Sequence, residues 1–391
     1  MAGCALGAIA GVGCSARVAS PGERASKHVA PSVADSDADF ARVTASPEPT
    51  HPSRGDAACG ERDGALDRAA ARVLETVDRT GAPPEAPDLA WDLRASGSPH
   101  PWPHAWSLSA PKLADEDVGG RIARFLGSFA EGGVRRCGLA TARAKDGSES
   151  IAVVAVDALA DLSPLPTRVR SGQWLTVSAT LLVPVTAAKL VVLGPSGAPR
   201  TVPTTLHGDR ASATFAPDRP GTFALQLLAT TSEGPRPVLD ALVFADRSPE
   251  RPSDATAPGE AKLATSSDAD AIAAMLNGAR DVESAPPLSR VDALDRIAVE
   301  HARRLASLGR LAHDAGDGTP DARMRRAGIE PARSGENVAH ARSAVLAHRL
   351  LWASPSHRAN VLDGGFDSFG VGVVRGEDAT LWVCELFARL R

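Results

Sequence analysis

The side chains best equipped for chemistry lie in the last third of the chain. His313 follows an apolar helical pattern, and Glu336 sits in Ser334-Gly335-Glu336-Asn337-Val338-Ala339. His357 sits in Trp352-Ala353-Ser354-Pro355-Ser356-His357-Arg358-Ala359-Asn360-Val361-Leu362. Imidazoles and a carboxylate can move protons near neutral pH or donate lone pairs to a cation. Each also has a plain structural reading. His313 can cap a helix C-terminus against its dipole, Glu336 can bond backbone N–H groups at a helix start, and His357 can hydrogen-bond the loop after Pro355 and bind nothing. His301 falls mid-helix, at a packing or surface position. His340 and His348 flank a helix and read as solvated, while Arg358 and Asn360 read as fixing loop geometry. Other catalytic signatures are missing: there is no His-Glu-x-x-His, Gly-x-Ser-x-Gly, phosphate-cradling Gly loop or Cys-x-x-Cys. Gly370-x-Gly372 lies in a strand pattern and is discounted as a nucleotide site.

The block that positions these residues, 268–391, alternates helices with two closing strands. Ile272, Met275 and Leu276 mark one helix. Leu294, Ile297, Ala298, Leu305 and Leu308 mark a second, ending at Gly309, and Val345, Leu346, Arg349, Leu350 and Trp352 mark a third. Gly370 to Val374 and Leu381 to Phe387 read as strands joined by the polar turn Arg375-Gly376-Glu377-Asp378. Helices with an antiparallel hairpin give a layered α+β domain.

The order Glu300-His301-Ala302, Gly309, His313, Arg323, Ala327-Gly328, Gly335-Glu336-Asn337-Val338-Ala339, Trp352, Ser354-Pro355, His357-Arg358, Asn360, Leu362, Phe366 and Gly370-Val371-Gly372-Val373 resembles the CAP superfamily. That family comprises cysteine-rich secretory, antigen 5 and pathogenesis-related 1 proteins, and the likeness is to its bacterial SCP-like branch. The resemblance implies an α-β-α sandwich with a central cleft lined by two His and two Glu, a His pair able to hold a divalent metal, and a secreted protein. His313 and His357 match the His pair, and Glu336 matches the first Glu. The second Glu has no match, since Ser354 or Pro355 holds its place near Trp352. A catalytic zinc usually has about three protein ligands, so the resemblance here implies a divalent ion, Zn²⁺ by donor type, held more weakly. Three functions stay open. In a binding protein, His313 and His357 hold the ion and Glu336 orients a water or a ligand donor. In a metal-dependent hydrolase or protease, Glu336 is the general base. In a non-catalytic interaction module, the cleft is empty.

The rest of the chain divides by composition. Met1 to Val12 is small and apolar and reads, within 1–20, as a secretory leader or a lipoprotein-type leader with Cys14 as the lipidated residue. Residues 21–61 are Ala-, Ser-, Pro- and Asp-rich with almost no large apolar side chain and read as a disordered spacer; 248–267 reads as a second linker. Between them, 62–160 is a small α+β region. Leu66, Ala69, Val73 and Val77, then Val118, Ile122, Phe125 and Phe129, recur at helical spacing, and Cys137 to Arg143 and Ile151 to Val156 are strand-like. Its Trp91-Asp92-Leu93-Arg94-Ala95-Ser96-Gly97 resembles Arg323 to Gly328, which makes it a candidate degenerate CAP-like copy lacking the His–Glu set, since His100 and His104 fall in a Pro-rich stretch. Residues 161–247 switch to period two, with Leu175, Val177, Ala179, Leu181 and Val183 alternating with polar residues. Several short strands separated by Gly/Pro turns suggest an immunoglobulin-like β-sandwich.

Composition excludes several classes. Among 391 residues, 43 basic and 47 acidic side chains give a net charge of -4 and no basic footprint for nucleic acid. No run is long and apolar enough for a membrane span. Five cysteines are too few for a disulfide framework, although Cys59–Cys137 is a conceivable bridge and Cys384 reads as a buried thiol. The reading is therefore an α+β multidomain protein of the cell exterior or envelope, its partner an extracellular lipid, peptide or cell-surface polymer.

Overall fold

The computed structural model describes residues 40–46, 59, 61–113, 115–128, 132–144, 147–251, 256–260 and 267–390. The expected leader and Cys14 lie outside the described residues. So does most of the expected spacer, but its described part is packed. Phe40 is buried, edge-on to Phe244 at 4.9 Å and to Trp91 at 5.4 Å. Strand β1 (Val43–Thr44) pairs antiparallel with Leu165–Pro166. One aromatic in a polar run anchors the chain, which corrects the spacer reading for 40–46. The second linker is likewise tied down: Arg251 pairs with Asp88 and Asp92, and Glu260 pairs with Arg349 at 2.7 Å. No described helix is long and apolar enough to cross a membrane.

The first block contains β2 (Glu61–Arg62), α1 (Gly64–Thr80), α2 (Ala86–Ala95), β3 (His104–Ala110), α3 (Asp115–Gly127), β4 (Val134–Arg143) and β5 (Glu149–Ala158). Asp63 caps α1 by accepting from the N–H of Ala65, and Gly81, at φ 74°, ends it in a left-handed turn. Helices α1 and α2 bury Leu66, Val73 and Leu93 on one face of the sheet, and α3 buries Val118 and Ile122 on the other. A disulfide joins Cys59 to Cys137, Cα atoms 5.7 Å apart, beneath α3. Helix α2 and strand β3 were not expected, because the prolines flanking them mask the periodicity. His100 in that stretch is buried against Ser46 and Arg136.

The middle block is all β: β6 (Ala160–Leu162), β7 (Leu165–Pro166), β8 (Arg168–Val169), β9 (Leu175–Leu181), β10 (Ala187–Leu193), β11 (Arg200–Val202), β12 (Thr204–His207), β13 (Arg210–Phe215), β14 (Gly221–Thr231) and β15 (Gly234–Ala245). One sheet runs β11-β10-β14-β15-β8 and the other β12-β13-β9-β6. The inward positions of both, including Val177, Phe215, Phe223 and Val243, share one apolar core.

The last block contains α4 (Asp268–Val282), β16 (Ser289–Arg290), α5 (Asp292–Leu308), α6 (Pro320–Arg326), β17 (Pro331–Ala341), α7 (Ala344–Ala353), α8 (Pro355–Leu362), β18 (Ser368–Arg375) and β19 (Leu381–Leu390). The sheet order is β16-β18-β19-β17, leaving β17 at an edge. Along β19 the even residues Trp382, Cys384 and Leu386 pack toward α5 and α6, while the odd residues Leu381, Val383 and Phe387 pack toward α4, α7 and α8. The domain is therefore three layers, α-β-α. Two expectations change. Glu336 lies in strand β17, not at a helix start, and His357 lies in helix α8, not in a loop.

Both terminal sheets have the order first-third-fourth-second, with the short first strand parallel to the third. In each, the long helix crosses the third strand at a glycine. A Cβ on Gly138 would stand 2.0 Å from the Leu66 backbone, and one on Gly370 2.3 Å from the Leu294 backbone. In each, a helix aspartate accepts the next strand N–H: Asp67 from Leu139 at 2.8 Å, Asp295 from Val371 at 2.7 Å. Each aspartate also pairs with the arginine of the first strand, Arg62 or Arg290.

These close approaches are testable by adding one methyl group. Gly138→Ala and Gly372→Ala, whose Cβ would meet the Ala298 backbone at 2.1 Å, should each cost about 2 kcal/mol or more of stability in urea unfolding. Gly364→Ala, with nothing within 4 Å of its Cβ, should stay within about 0.5 kcal/mol of the parent.

Candidate functional site

Helix α5 ends at Gly309, whose left-handed φ of 65° turns the chain toward the sheet edge. The following loop is held by its own acids. Asp314 Oδ1 accepts from the N–H groups of Gly316 and Gly318, both at 2.9 Å, and Asp317 Oδ1 accepts from Ala315 N–H at 3.2 Å. That loop carries His313. Edge strand β17 carries Glu336, and α8 carries His357.

His313 and Glu336 are in direct contact, and His357 lines one cavity with His313. His313 Nδ1 lies 2.9 Å from Glu336 Oε1. The Arg323 guanidinium donates to Glu336 Oε2, and the Cys384 thiol approaches the same oxygen at 3.4 Å. Arg323 also donates to the His313 carbonyl at 3.0 Å and to the Gly318 carbonyl at 2.7 Å. Burial pushes the Glu336 pKa up, but the His313 bond and the charges of Arg323 and His301 outweigh it, so the carboxyl is held below its usual range. Burial, then the Glu336 charge, pushes the Cys384 thiol well up. It is a neutral donor, not a nucleophile.

Glu336, the residue expected as a general base in the hydrolytic reading, has both carboxylate oxygens engaged. One carboxylate oxygen holds His313, the other holds a guanidinium, and the side chain is buried. Those partners hold the carboxylate ionised and tie it to the His313 ring. Nδ1 of His313 is turned to the carboxylate, which leaves Nε2 as the ring nitrogen not engaged by it.

That cleft is a narrow cavity of about 50 Å³ whose lining includes His313, His357, Val338 and Leu311. Burial, then the neighbouring His313, lowers the His357 pKa to about 3, so its ring is neutral at physiological pH and keeps a lone pair. Two imidazole donors on one cavity suit a divalent cation. The fit stops at two: among the described residues, no group of three or more His, Cys, Asp or Glu side chains is placed to hold a metal ion. Where a second acid was sought, Ser354 stands at the N-cap position of α8 without a side-chain cap bond. Its hydroxyl and the Ser356 N–H donate to Gln226 Oε1 of the middle block at 3.4 and 3.1 Å.

Around the site, His301, His340, Arg358 and Asn360 fall as the sequence reading had them, whereas His348 and Glu385 do not. His301 is fully buried, its Nδ1 2.8 Å from Asp317 and its Nε2 3.0 Å from the Ala312 carbonyl. His348, expected to be solvated, is buried and donates to the Pro258 carbonyl at 2.9 Å. His340 is exposed, as expected, and stacks on Trp382. Arg358 packs over the Trp352 ring at 4.0 Å and pairs with Glu283, and Asn360 donates to the Glu336 carbonyl at 3.1 Å. Glu385 was overlooked, although a lone acid in the apolar run Leu381 to Phe387 is itself a signal. It is buried, accepts from Asn337 Nδ2 at 2.9 Å, and its Oε1 has no hydrogen-bond partner.

Residues 273–386 match the family profile described as the Cysteine-rich secretory protein family, CAP. The C-terminal block is a CAP domain. No curated protein matches the chain. Among solved structures, the chain is similar to an outer surface protein from Borrelia burgdorferi, with 19% identity, TM-score 0.30, and coverage of 33% of this chain and 97% of the other. It is also similar to an extracellular protein containing an SCP domain from Bacillus anthracis, with 19% identity, TM-score 0.28, and coverage of 44% and 65%. A third is a cysteine-rich secretory protein from Staphylococcus aureus, with 12% identity, TM-score 0.27, and coverage of 59% and 83%.

Within the CAP domain, Glu385 sets a pH dependence. Burial raises its pKa from 4.5 to about 7, so the folded domain keeps a proton that the unfolded chain releases between those values. Stability from this group is full below pH 4.5 and is lost as pH rises through about 7, some 3 kcal/mol in all. His357 acts oppositely, with stability lost as pH falls from 6.5 toward 3, so the comparison must be with Glu385→Gln. Urea unfolding from pH 4.5 to 8 should show the parent falling relative to that variant; parallel curves would refute the assignment.

Proposed function

We propose that this protein works outside the cytoplasm as a CAP-domain binding protein in which His313 and His357 hold a divalent cation, and through it an extracellular ligand. The observation that carries this is the pair of imidazole rings on one cavity, one of them oriented from behind by a buried carboxylate. This is the carboxylate–histidine arrangement that raises ligand basicity and fixes the tautomer at metal sites. A bound cation would supply positive charge for a ligand oxygen or nitrogen. His313 and His357 would hold it, Glu336 would aim His313, and Arg323 would keep Glu336 ionised. Zinc suits the donor type, and two protein donors make the site weaker than a three-ligand catalytic centre. Binding is favoured over hydrolysis because both oxygens of Glu336 are engaged. The compartment is supported by the Cys59–Cys137 disulfide, since such bonds persist in oxidising surroundings.

The same reading extends to the other blocks. The first is a CAP-like copy whose site has been erased. Matching Gly138 to Gly370 puts Val154 in the place of Leu386, so the registers set Ala105 where Glu336 stands and Val153 where Glu385 stands. The shared strand order and the paired Arg–Asp–Gly contacts support this. The middle block, two sheets around one core, is of immunoglobulin-like type and serves as a spacer that also reaches the cleft.

Zinc titration by calorimetry tests the central claim. The parent should bind one ion, His313→Ala and His357→Ala should lose it, and Glu336→Gln should weaken it by about 10–100-fold. Equal binding in the parent and both alanine variants would sink the proposal.

A further inference from the structure

The cleft between His313 and His357 is not built by the CAP domain alone. Its opposite wall is the turn and first residues of β15, from Glu233 to Pro237, with Trp102 of the first block behind them. Gly234, at the hairpin tip, lies flat on His313: a Cβ there would stand 3.4 Å from His313 Cβ, and its φ of 103° is one that favours glycine. Arg310, three residues before His313, pairs with Glu233 at 2.8 Å. Arg236 lies over the Trp102 ring at 4.9 Å, which fastens the base of the hairpin to the first block. Deeper in the interface, Arg94 pairs with Asp240 at 2.8 Å, Asp240 accepts from Gln226 Nε2 at 3.0 Å, and Gln226 Oε1 takes the N–H of Ser356 one residue before His357.

We propose that the hairpin Thr231–Pro237 is the specificity-determining wall of the cleft. With the Glu233–Arg310 pair closed, the cavity admits a divalent cation with a little water and excludes a peptide, acyl chain or glycan. The proposal takes its ligand class from the metal reading above, but the size filter stands on the walls themselves. A cavity of about 50 Å³ holds only a few water-sized bodies. Glu233 pairs within the hairpin with Arg236 at 3.3 Å. The ion pair that ties the tip to the CAP block is the half-exposed one with Arg310, a weak contact, whereas the interface behind it is held by several partly buried hydrogen bonds. Release therefore lifts the tip and leaves the blocks joined. Glu233 and Arg310 decide when the cleft opens, and Gly234 decides how closely it shuts.

The test is the access of a small acylating reagent, diethyl pyrocarbonate, to the cleft histidines of the full chain. Each site is quantified by peptide mass spectrometry, with exposed His207 as internal standard. In the parent, His313 and His357 should react far more slowly than His207. Arg310→Glu and Glu233→Arg each set like charges face to face and should raise the cleft rates by about tenfold, as expected when a local opening equilibrium is shifted. The double exchange, Glu233→Arg with Arg310→Glu, restores the pair and should return the rates to the parent level with an unchanged melting temperature. Cleft rates equal to that of His207 in the parent would overturn the proposal. So would single variants that react like the parent, or a double exchange that stays fast. Zinc binding is read separately, so a chain that binds no zinc but follows this pattern removes the metal reading and leaves the size filter standing.

Discussion

The last third of the molecule is organised around one buried negative charge. Glu336 has a side chain only 1% exposed, and an uncompensated carboxylate at that depth would cost several kcal/mol or more. Arg323 is its counter-ion, and the rest follows from satisfying both. Arg323 turns its second terminal nitrogen to the carbonyls of His313 and Gly318, which holds the loop after α5 against it. His313 then delivers a ring nitrogen to the second carboxylate oxygen. One ion pair thus fixes the loop path and the direction of the imidazole, and removing either partner would leave the other charge stranded.

A buried acid of this kind is tuned by what surrounds it, and the two acids of neighbouring β17 and β19 show the contrast. Glu336, on the α5 face, has a guanidinium and two imidazoles and is held ionised. Glu385, on the opposite face, has only the Asn337 amide and is pushed toward neutrality. The pleat that sends successive residues to opposite faces separates the two environments within a few ångströms of chain. The ionised acid orients the cleft, and the neutral one sits in the support behind α8.

The cleft also depends on parts of the chain far from it in sequence. Arg94, Asp240 and Gln226 form a polar line that ends on the backbone at Ser356, so the start of the His357 helix is held by the middle block. In the first block, Ala105 and Val153 stand at the strand positions that register with Glu336 and Glu385, so no acid lies there. The division is one of position: the CAP block supplies both histidines, and the middle and first blocks supply the facing wall.

Local chemistry was legible in the sequence wherever one element could express it. The helical periods at Leu66–Val77 and Leu294–Leu308 and the alternation at Leu175–Leu181 report on neighbours within one helix or strand and were read correctly, and the ordered motifs around His313, Glu336 and His357 were enough to recognise the CAP domain. The segments β3, α6 and β17 were not, because flanking prolines and a Gly-Glu-Asn core position break their periodicity and only sheet pairing makes them regular. What Glu336 does was beyond the sequence altogether. A carboxylate that could serve as a base is, once folded, bonded to Arg323 thirteen residues away, and burial and partners, which belong to the tertiary structure, decide its charge and role. For the same reason no spacing in the chain announced that Glu233 and Gly234 would close the cleft. Contacts across such separations are selected by the packing of whole domains, and a linear pattern carries no record of them.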